Sequence, residues 1–374
     1  VGAGAEAAPG PGEHDARDVV VGVELVEHVG ERHHQLKRHR VHPLGSVHPD
    51  DRSAGAGALD ENDRFAGLVG LGMDVGIAHP RSVTHMAGLE GISIVDTMIG
   101  FAAPSGVDRE IPQVKSAHRG SAHTADYIFT EVPDDDPDDP ITATLTEMDR
   151  HGVGVGLVNT GRPEAVEAAR RHPDRFVLET HVGQMGRPVD IVGEVRRIRA
   201  EHAEYGTRAV SFFPVGPVPQ LPVDAATWYP IYATCVELGL TVFVNAGVPG
   251  PRVPMAAQRV EGFDRVCYDF PELVIVMRHG AEPWTDLAVK LMLKWPGLHY
   301  STSAFAPRHY PSAIVDYANT RGAEKILYGG YFPMALSLER IVAELADLPL
   351  RDHVWEPFLA GNARRVLGLA SPLS

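Results

Sequence analysis

The residues best suited to chemistry fall at the ends of short apolar runs. VIVMRHGAEPW (274–284) passes from apolar residues to Arg278 and His279, with Glu282 three positions on. An imidazole placed at such an end can accept or donate a proton near neutral pH. KILYGGYFPM (325–334) breaks at Gly329-Gly330 and delivers Tyr331. Its phenol can donate to a substrate oxygen, and the paired glycines let backbone or substrate approach closely. LTVFVNAG (240–247) delivers Asn245, whose amide can orient a carbonyl. His279, Tyr331 and Asn245 are therefore the candidate catalytic set. Arg278 and Arg252 carry guanidinium groups able to hold a substrate carboxylate through two parallel hydrogen bonds. Glu282, Ser211, Ser303, Asp96 and Met98 complete the candidate substrate contacts. Ordinary roles stay open beside these: a turn residue at Asn245, a helix cap at Glu282, a carboxylate holding backbone N–H groups at Asp96.

These residues need elements to gather them. Strand-like runs occur at ISIVD (92–96), VGVGLVN (153–159), RFVLETHV (175–182) and TRAVSFF (207–213), then at LTVFVN (240–245), LVIVMRH (273–279), LHYSTS (298–303) and KILYGG (325–330). Helical spacing lies between them. In 225–238, Trp228, Ile231, Tyr232, Cys235 and Val236 recur at three- and four-residue steps, as do Trp284, Leu287, Ala288, Leu291 and Met292 in 283–296. Pro163, Pro188 and Pro283 mark expected helix starts, and Gly152, Gly206 and Gly239 expected stops. Eight strands alternating with helices predict an α/β fold, a (β/α)8 TIM barrel. The rival is an open doubly wound sheet, disfavoured because no glycine-rich phosphate turn follows the first strand. A long insertion, roughly 101–140, follows strand 1 and contains the acidic, proline-punctuated VPDDDPDDP (132–140), expected to be a solvated loop. In such barrels function collects at the carboxyl ends of the strands. Those ends supply Asp96 and Met98, Glu179 and His181, Ser211 with Phe212 and Phe213, Asn245, Arg278 and His279, Ser301 and Ser303, and Tyr331.

Composition narrows the partners. The 374 residues carry a formal net charge of −15 and are 44% hydrophobic. That balance argues against nucleic acid and an anionic membrane surface, and leaves a small-molecule substrate as the expected partner. No apolar run reaches the ~18 residues of a membrane span. The two cysteines, Cys235 and Cys267, sit in apolar helical patterns and make no disulfide framework, so a reducing cytoplasm is the expected location. Residues 1–85 differ from the rest: they hold one aromatic residue, Phe65, and cannot bury much surface. His33, His34, His39 and His42 fall there without a scaffold to make them metal ligands. The expectation is a disordered or non-native leader over 1–85, with translation starting at Met86 and one domain over 86–374.

Several blocks resemble one family. IPQVK…DYIFTEVP, TWYPIYATCVELGLTVFVNAG, VIVMRHGAEPWTDLAVKLMLKWPGLHYSTSAF and KILYGGYFPMALSLERI…NARRVLGL look like the amidohydrolase-related family, including its aminocarboxymuconate-semialdehyde decarboxylase and resorcylate decarboxylase branches. The resemblance covers roughly 92–369 and is strongest in the C-terminal half. It implies a TIM barrel and hydrolysis or non-oxidative decarboxylation with one divalent metal. That metal is usually held by an H-x-H pair after strand 1, a histidine after strand 5 and an aspartate after strand 8, with a strand-6 histidine in catalysis. This chain departs from the pattern. Met98 and Gly100 stand where the two histidines would be, Asn245 replaces the strand-5 histidine, and Tyr331 replaces the aspartate; His279 alone keeps its identity. One imidazole with an amide and a phenol is a poor site for a transition metal. The expectation is a degenerate metal site with no cofactor, Tyr331 filling the vacated space. Three readings follow: a metal-independent hydrolase or lyase acting on a small acidic, aromatic or lactone molecule; a binding protein derived from such an enzyme; or a metal enzyme with atypical ligands such as His181 or His123. The oligomeric state is open, the insertion and the apolar C-terminal helix being candidate homo-oligomer contacts.

Overall fold

The β-branched and aromatic runs become eight strands: β1 (Ile94–Asp96), β2 (Val153–Asn159), β3 (Phe176–Val182), β4 (Ala209–Phe212), β5 (Thr241–Asn245), β6 (Ile275–Arg278), β7 (Leu298–Ser301) and β8 (Ile326–Leu327). The computed structural model describes residues 91–101, 114–115, 137–334 and 336–370. All of these lie in the unit Ala78–Ser374. The leader 1–85, Met86, His123 and most of the insertion fall outside the described residues.

Each strand pairs in parallel with the next, in the order β1 to β8. The two ends of the sheet then meet. The backbone N–H of Thr97 donates to the Tyr328 carbonyl at 3.3 Å and its hydroxyl to the same oxygen at 2.8 Å. Gly330 N–H donates to Asp96 Oδ1 at 2.8 Å. The result is the expected (β/α)8 TIM barrel.

Alternation along the strands sorts their side chains. Val95, Val155, Leu157, Ala209, Phe243, Val276 and Leu327 pack together inside the ring. Ala360, Ala363, Val366 and Leu367 of the C-terminal segment join them and close the amino-terminal end. That helix, a candidate oligomer contact in the sequence, thus covers the barrel floor. The outward residues pack on the helices. Phe212, expected beside the mouth, is one of them: it is buried and stacks on Trp228 with ring centroids 4.3 Å apart.

Ten α-helices follow or flank these strands among the described residues: α1 (Pro140–Arg150), α2 (Pro163–Arg171), α3 (Ile191–Tyr205), α4 (Tyr229–Leu238), α5 (Gly262–Asp269), α6 (Thr285–Lys294), α7 (Ser312–Thr320), α8 (Leu338–Leu345), α9 (Asp352–Glu356) and α10 (Asn362–Val366). Gly206 and Gly239 end α3 and α4 in the left-handed conformation, as expected of C-terminal caps. Two expected starts shift. Asp190, not Pro188, opens α3, its carboxylate accepting from Gly193 N–H at 3.0 Å. Pro283 follows a cis peptide after Glu282, and α6 starts only at Thr285. No described helix is long and apolar enough to cross a membrane.

Candidate functional site

Three backbone features single out one end of the barrel. His279, Ala281 and Ala304 take positive φ angles of 64°, 54° and 74°, in the turns just after β6 and β7. Side chains beyond glycine are strained in this region, and such strain concentrates at functional sites. The turn after β6 is held by backbone bonds: Ala281 N–H donates to the Ala246 carbonyl at 3.2 Å, and Val248 N–H to that of Glu282 at 2.9 Å. Gly247 fits between these strand ends because a Cβ there would come within 2.8 Å of Glu282 backbone atoms.

That turn sets His279 against β7 and β8. Its Nδ1 lies 2.9 Å from Ser303 Oγ, and its backbone N–H donates to the same oxygen at 3.4 Å. Tyr331 meets the imidazole edge to face, centroids 5.5 Å apart at 82°. His279, Ser303 and Tyr331 therefore form one constellation. Burial, with the Arg278 guanidinium alongside, lowers the His279 pKa to about 3, so the ring is neutral at physiological pH. Asn245 lies opposite Arg278 in the β5–β6 register and is partly exposed.

A second constellation lies across the interior. Arg278, expected to hold a substrate carboxylate, is 3% exposed and already holds a protein one. Its Nη1 and Nη2 donate to Glu179 Oε1 and Oε2 at 3.1 and 2.7 Å, and Nη2 also to the Thr97 carbonyl at 2.9 Å. The guanidinium lies over the Phe243 ring, 4.2 Å from its centroid. Ser211, likewise expected to touch substrate, donates to Glu179 Oε1 at 2.9 Å and lies 3.1 Å from His181 Nδ1. Both residues thus build the support under the mouth. The Arg278–Glu179 pair went unseen in the sequence. Its signal was a charge at an inward position of each of two otherwise apolar strands, which burial permits only when the charges meet.

The other candidates disperse. Arg252 and Glu282 are exposed, and Met98 is half-buried with its backbone N–H donating to Asp96 Oδ1 at 2.9 Å. Asp96 takes the structural role left open for it. It is fully buried, and Oδ1 accepts from both Met98 and Gly330 where β1 meets β8. Its Oδ2 and the Tyr328 hydroxyl have no hydrogen-bond partner among the described residues. Both border the space a side chain at position 330 would take, a Cβ there lying 2.4 Å from Oδ2 and 3.2 Å from the hydroxyl.

Burial outweighs the two backbone hydrogen bonds and raises the Asp96 pKa to about 6. An acid raised in this way binds its proton more tightly folded than unfolded, so its ionisation opposes folding as pH rises from about 4 to 6. Asp96→Asn keeps an oxygen for the two N–H groups and removes the charge. Its stability relative to the parent is expected to climb by about 3 kcal/mol over that pH range and to level off above it. Urea midpoints from pH 4 to 7 measure this; parallel curves for the two proteins would contradict it.

The resemblance implies metal ligands at four positions, which in this chain carry Met98, Gly100, Asn245 and Tyr331. A thioether, a missing side chain, an amide and a phenol do not suit a hard or borderline divalent ion. Among the described residues no three His, Cys, Asp or Glu side chains gather closely enough to hold one.

A family model described as Amidohydrolase matches residues 128–369. Among solved structures, an uncharacterized TIM-barrel protein from Bordetella bronchiseptica superposes with a TM-score of 0.58 at 22% identity, over 74% of this chain and 98% of that one. A 2,6-dihydroxybenzoate decarboxylase bound to 2,6-dihydroxybenzoate gives 0.52 at 15% identity, over 74% and 100%. A 4-oxalomesaconate hydratase from Rhodopseudomonas palustris gives 0.51 at 17% identity, over 74% and 95%. No curated protein matches the chain.

Proposed function

The chain belongs to the amidohydrolase family, and from that premise we propose that it is a cytoplasmic, metal-independent enzyme. Its reaction is hydrolysis or decarboxylation of a small acidic molecule, aromatic or lactone in character. One observation carries the reading. The family's usual metal positions are filled by Met98, Gly100, Asn245 and Tyr331, yet His279 persists in a strained turn against Ser303 and Tyr331. A strained, partly exposed imidazole in a barrel mouth is costly unless the position serves the chemistry.

His279 presents a neutral ring to the substrate, Tyr331 donates from its phenol to a developing oxyanion, and Asn245 orients the same group from β5. The decarboxylase and hydratase among the structural neighbours support small oxygen-rich acids as the class to test.

The deciding experiment is metal analysis of the purified full chain, combined with turnover of 2,6-dihydroxybenzoate and of the phenolic lactone dihydrocoumarin. The expected result is no stoichiometric zinc, manganese or iron, and a turnover that EDTA leaves unchanged. A bound ion at one per chain, or activity that falls on chelation and returns with metal, would overturn the proposal. A second reading, a non-catalytic binding protein derived from such an enzyme, rests on the residues Met98, Gly100, Asn245 and Tyr331, which replace the metal ligands the resemblance implies. Saturable binding of either probe without turnover would support that reading.

A further inference from the structure

We infer that His181 is the proton-accepting residue of this barrel, its imidazole held in the opposite tautomer to that of His279, and that the reaction this pair suits is hydrolysis of a carboxylic ester or lactone. The inference rests on the proposal that the mouth around His279 is the reaction site.

The argument follows single protons. Glu179 is buried and accepts both Nη groups of Arg278, so it is a carboxylate and offers only lone pairs. Ser211 Oγ, 2.9 Å from Glu179 Oε1, must donate its one proton there. It has none left for His181, whose Nδ1 is 3.1 Å away, so this contact requires His181 Nδ1–H to donate to Ser211 Oγ. Burial lowers the His181 pKa, which favours the neutral ring. The remaining nitrogen, Nε2, is then a bare lone pair. It points away from the Ser211 contact, and His181 is partly exposed.

At His279 the order reverses. Ser303 Oγ accepts from the His279 backbone N–H at 3.4 Å, and we assign its own proton to the contact with Nδ1 at 2.9 Å. Nδ1 accepts, and the ring proton sits on Nε2. One ion pair, Arg278 to Glu179, ties the two strands that carry these imidazoles: His279 follows Arg278 directly, and His181 is two residues beyond Glu179. A lone pair and an N–H donor offered to one mouth match the addition of water to a carbonyl. Water attacks the acyl carbon while its proton passes to His181 Nε2. The carbonyl oxygen, now negative, is stabilised by His279 Nε2–H and the Tyr331 phenol. When the tetrahedral adduct collapses, the C–O bond to the leaving oxygen breaks, and His181 returns the proton to that oxygen. Protonation of a ring carbon in decarboxylation would instead draw on the His279 and Tyr331 donors and leave the His181 lone pair without a role.

The test uses the full chain with 15N-labelled histidine. Long-range proton–nitrogen correlation reports which ring nitrogen is protonated, and the variants His181→Gln and His279→Asn assign the signals. The expected result is a proton on Nδ1 of His181 and on Nε2 of His279. A proton on Nε2 of His181 would overturn the inference, whatever the activity. With dihydrocoumarin as the probe, His181→Gln and Ser211→Ala should lower kcat at least tenfold with KM changed by less than threefold, and Ser211→Thr should restore most of the loss. Full kcat in His181→Gln would also overturn it. Failure of the parent chain to open the lactone, with the expected tautomers present, would sink the hydrolytic assignment and leave the decarboxylase reading of the site standing.

Discussion

Replacing His279 with asparagine should lower turnover about 10²–10⁴-fold and leave the barrel folded. Asparagine is the substitution that isolates the chemistry. It tolerates a φ of 64° better than most residues, so the strained turn after β6 can persist. Its amide oxygen can accept from Ser303 in place of Nδ1. What it lacks is the second ring nitrogen, and that is the atom assigned to the substrate. Circular dichroism and urea midpoints check that the fold survives; steady-state rates with 2,6-dihydroxybenzoate and dihydrocoumarin measure the loss. Since burial holds the His279 pKa near 3, the ring does not change charge at neutral pH, and rates limited by its ionisation should be flat from pH 5 to 8. An asparagine variant as active as its parent would remove His279 from the mechanism. Tyr331→Phe offers a companion measurement. If phenol and imidazole act on one oxyanion, the two losses will not add in the double variant.

The barrel was legible in the sequence because each strand is a short apolar run bounded by polar or glycine-rich residues, a signal that survives any uncertainty in helix ends. Period-two alternation should also have turned Phe212 outward once Ser211 was placed inward, since neighbours on a strand face opposite ways. The gathering of His279, Ser303 and Tyr331 followed from the strand ends alone, because the fold brings all carboxyl ends to one face. The role of Arg278 did not follow. Its partner lies 99 positions away, and nothing local tells a charge that meets another inside the barrel from one that meets a ligand in the mouth. Helix starts failed at Pro188 and Pro283 for a similar reason: proline permits a first turn, but at α3 the aspartate two residues later supplies the cap.

The Arg278–Glu179 pair yields the largest expected effect on stability. Arg278→Met should lower the free energy of unfolding by about 3–5 kcal/mol, because it leaves the Glu179 carboxylate buried without its cation. Methionine fills the volume of the arginine stem, so little of the loss comes from a cavity. At about 2–4 °C per kcal/mol for a chain of this size, the melting temperature should fall by roughly 6–20 °C. The double variant Arg278→Met with Glu179→Leu tests the cause. With no charge left inside the ring, it should recover most of the loss, since a buried ion pair contributes little net stability against apolar residues of similar size. Recovery cannot be complete: Ser211 loses the acceptor at 2.9 Å and the Thr97 carbonyl loses the donor at 2.9 Å. The opposite pattern would mean something else. If Arg278→Met left the melting temperature unchanged and instead weakened binding of 2,6-dihydroxybenzoate, the guanidinium would be reaching the mouth in solution, and the support assigned to His181 would have to be rebuilt without it.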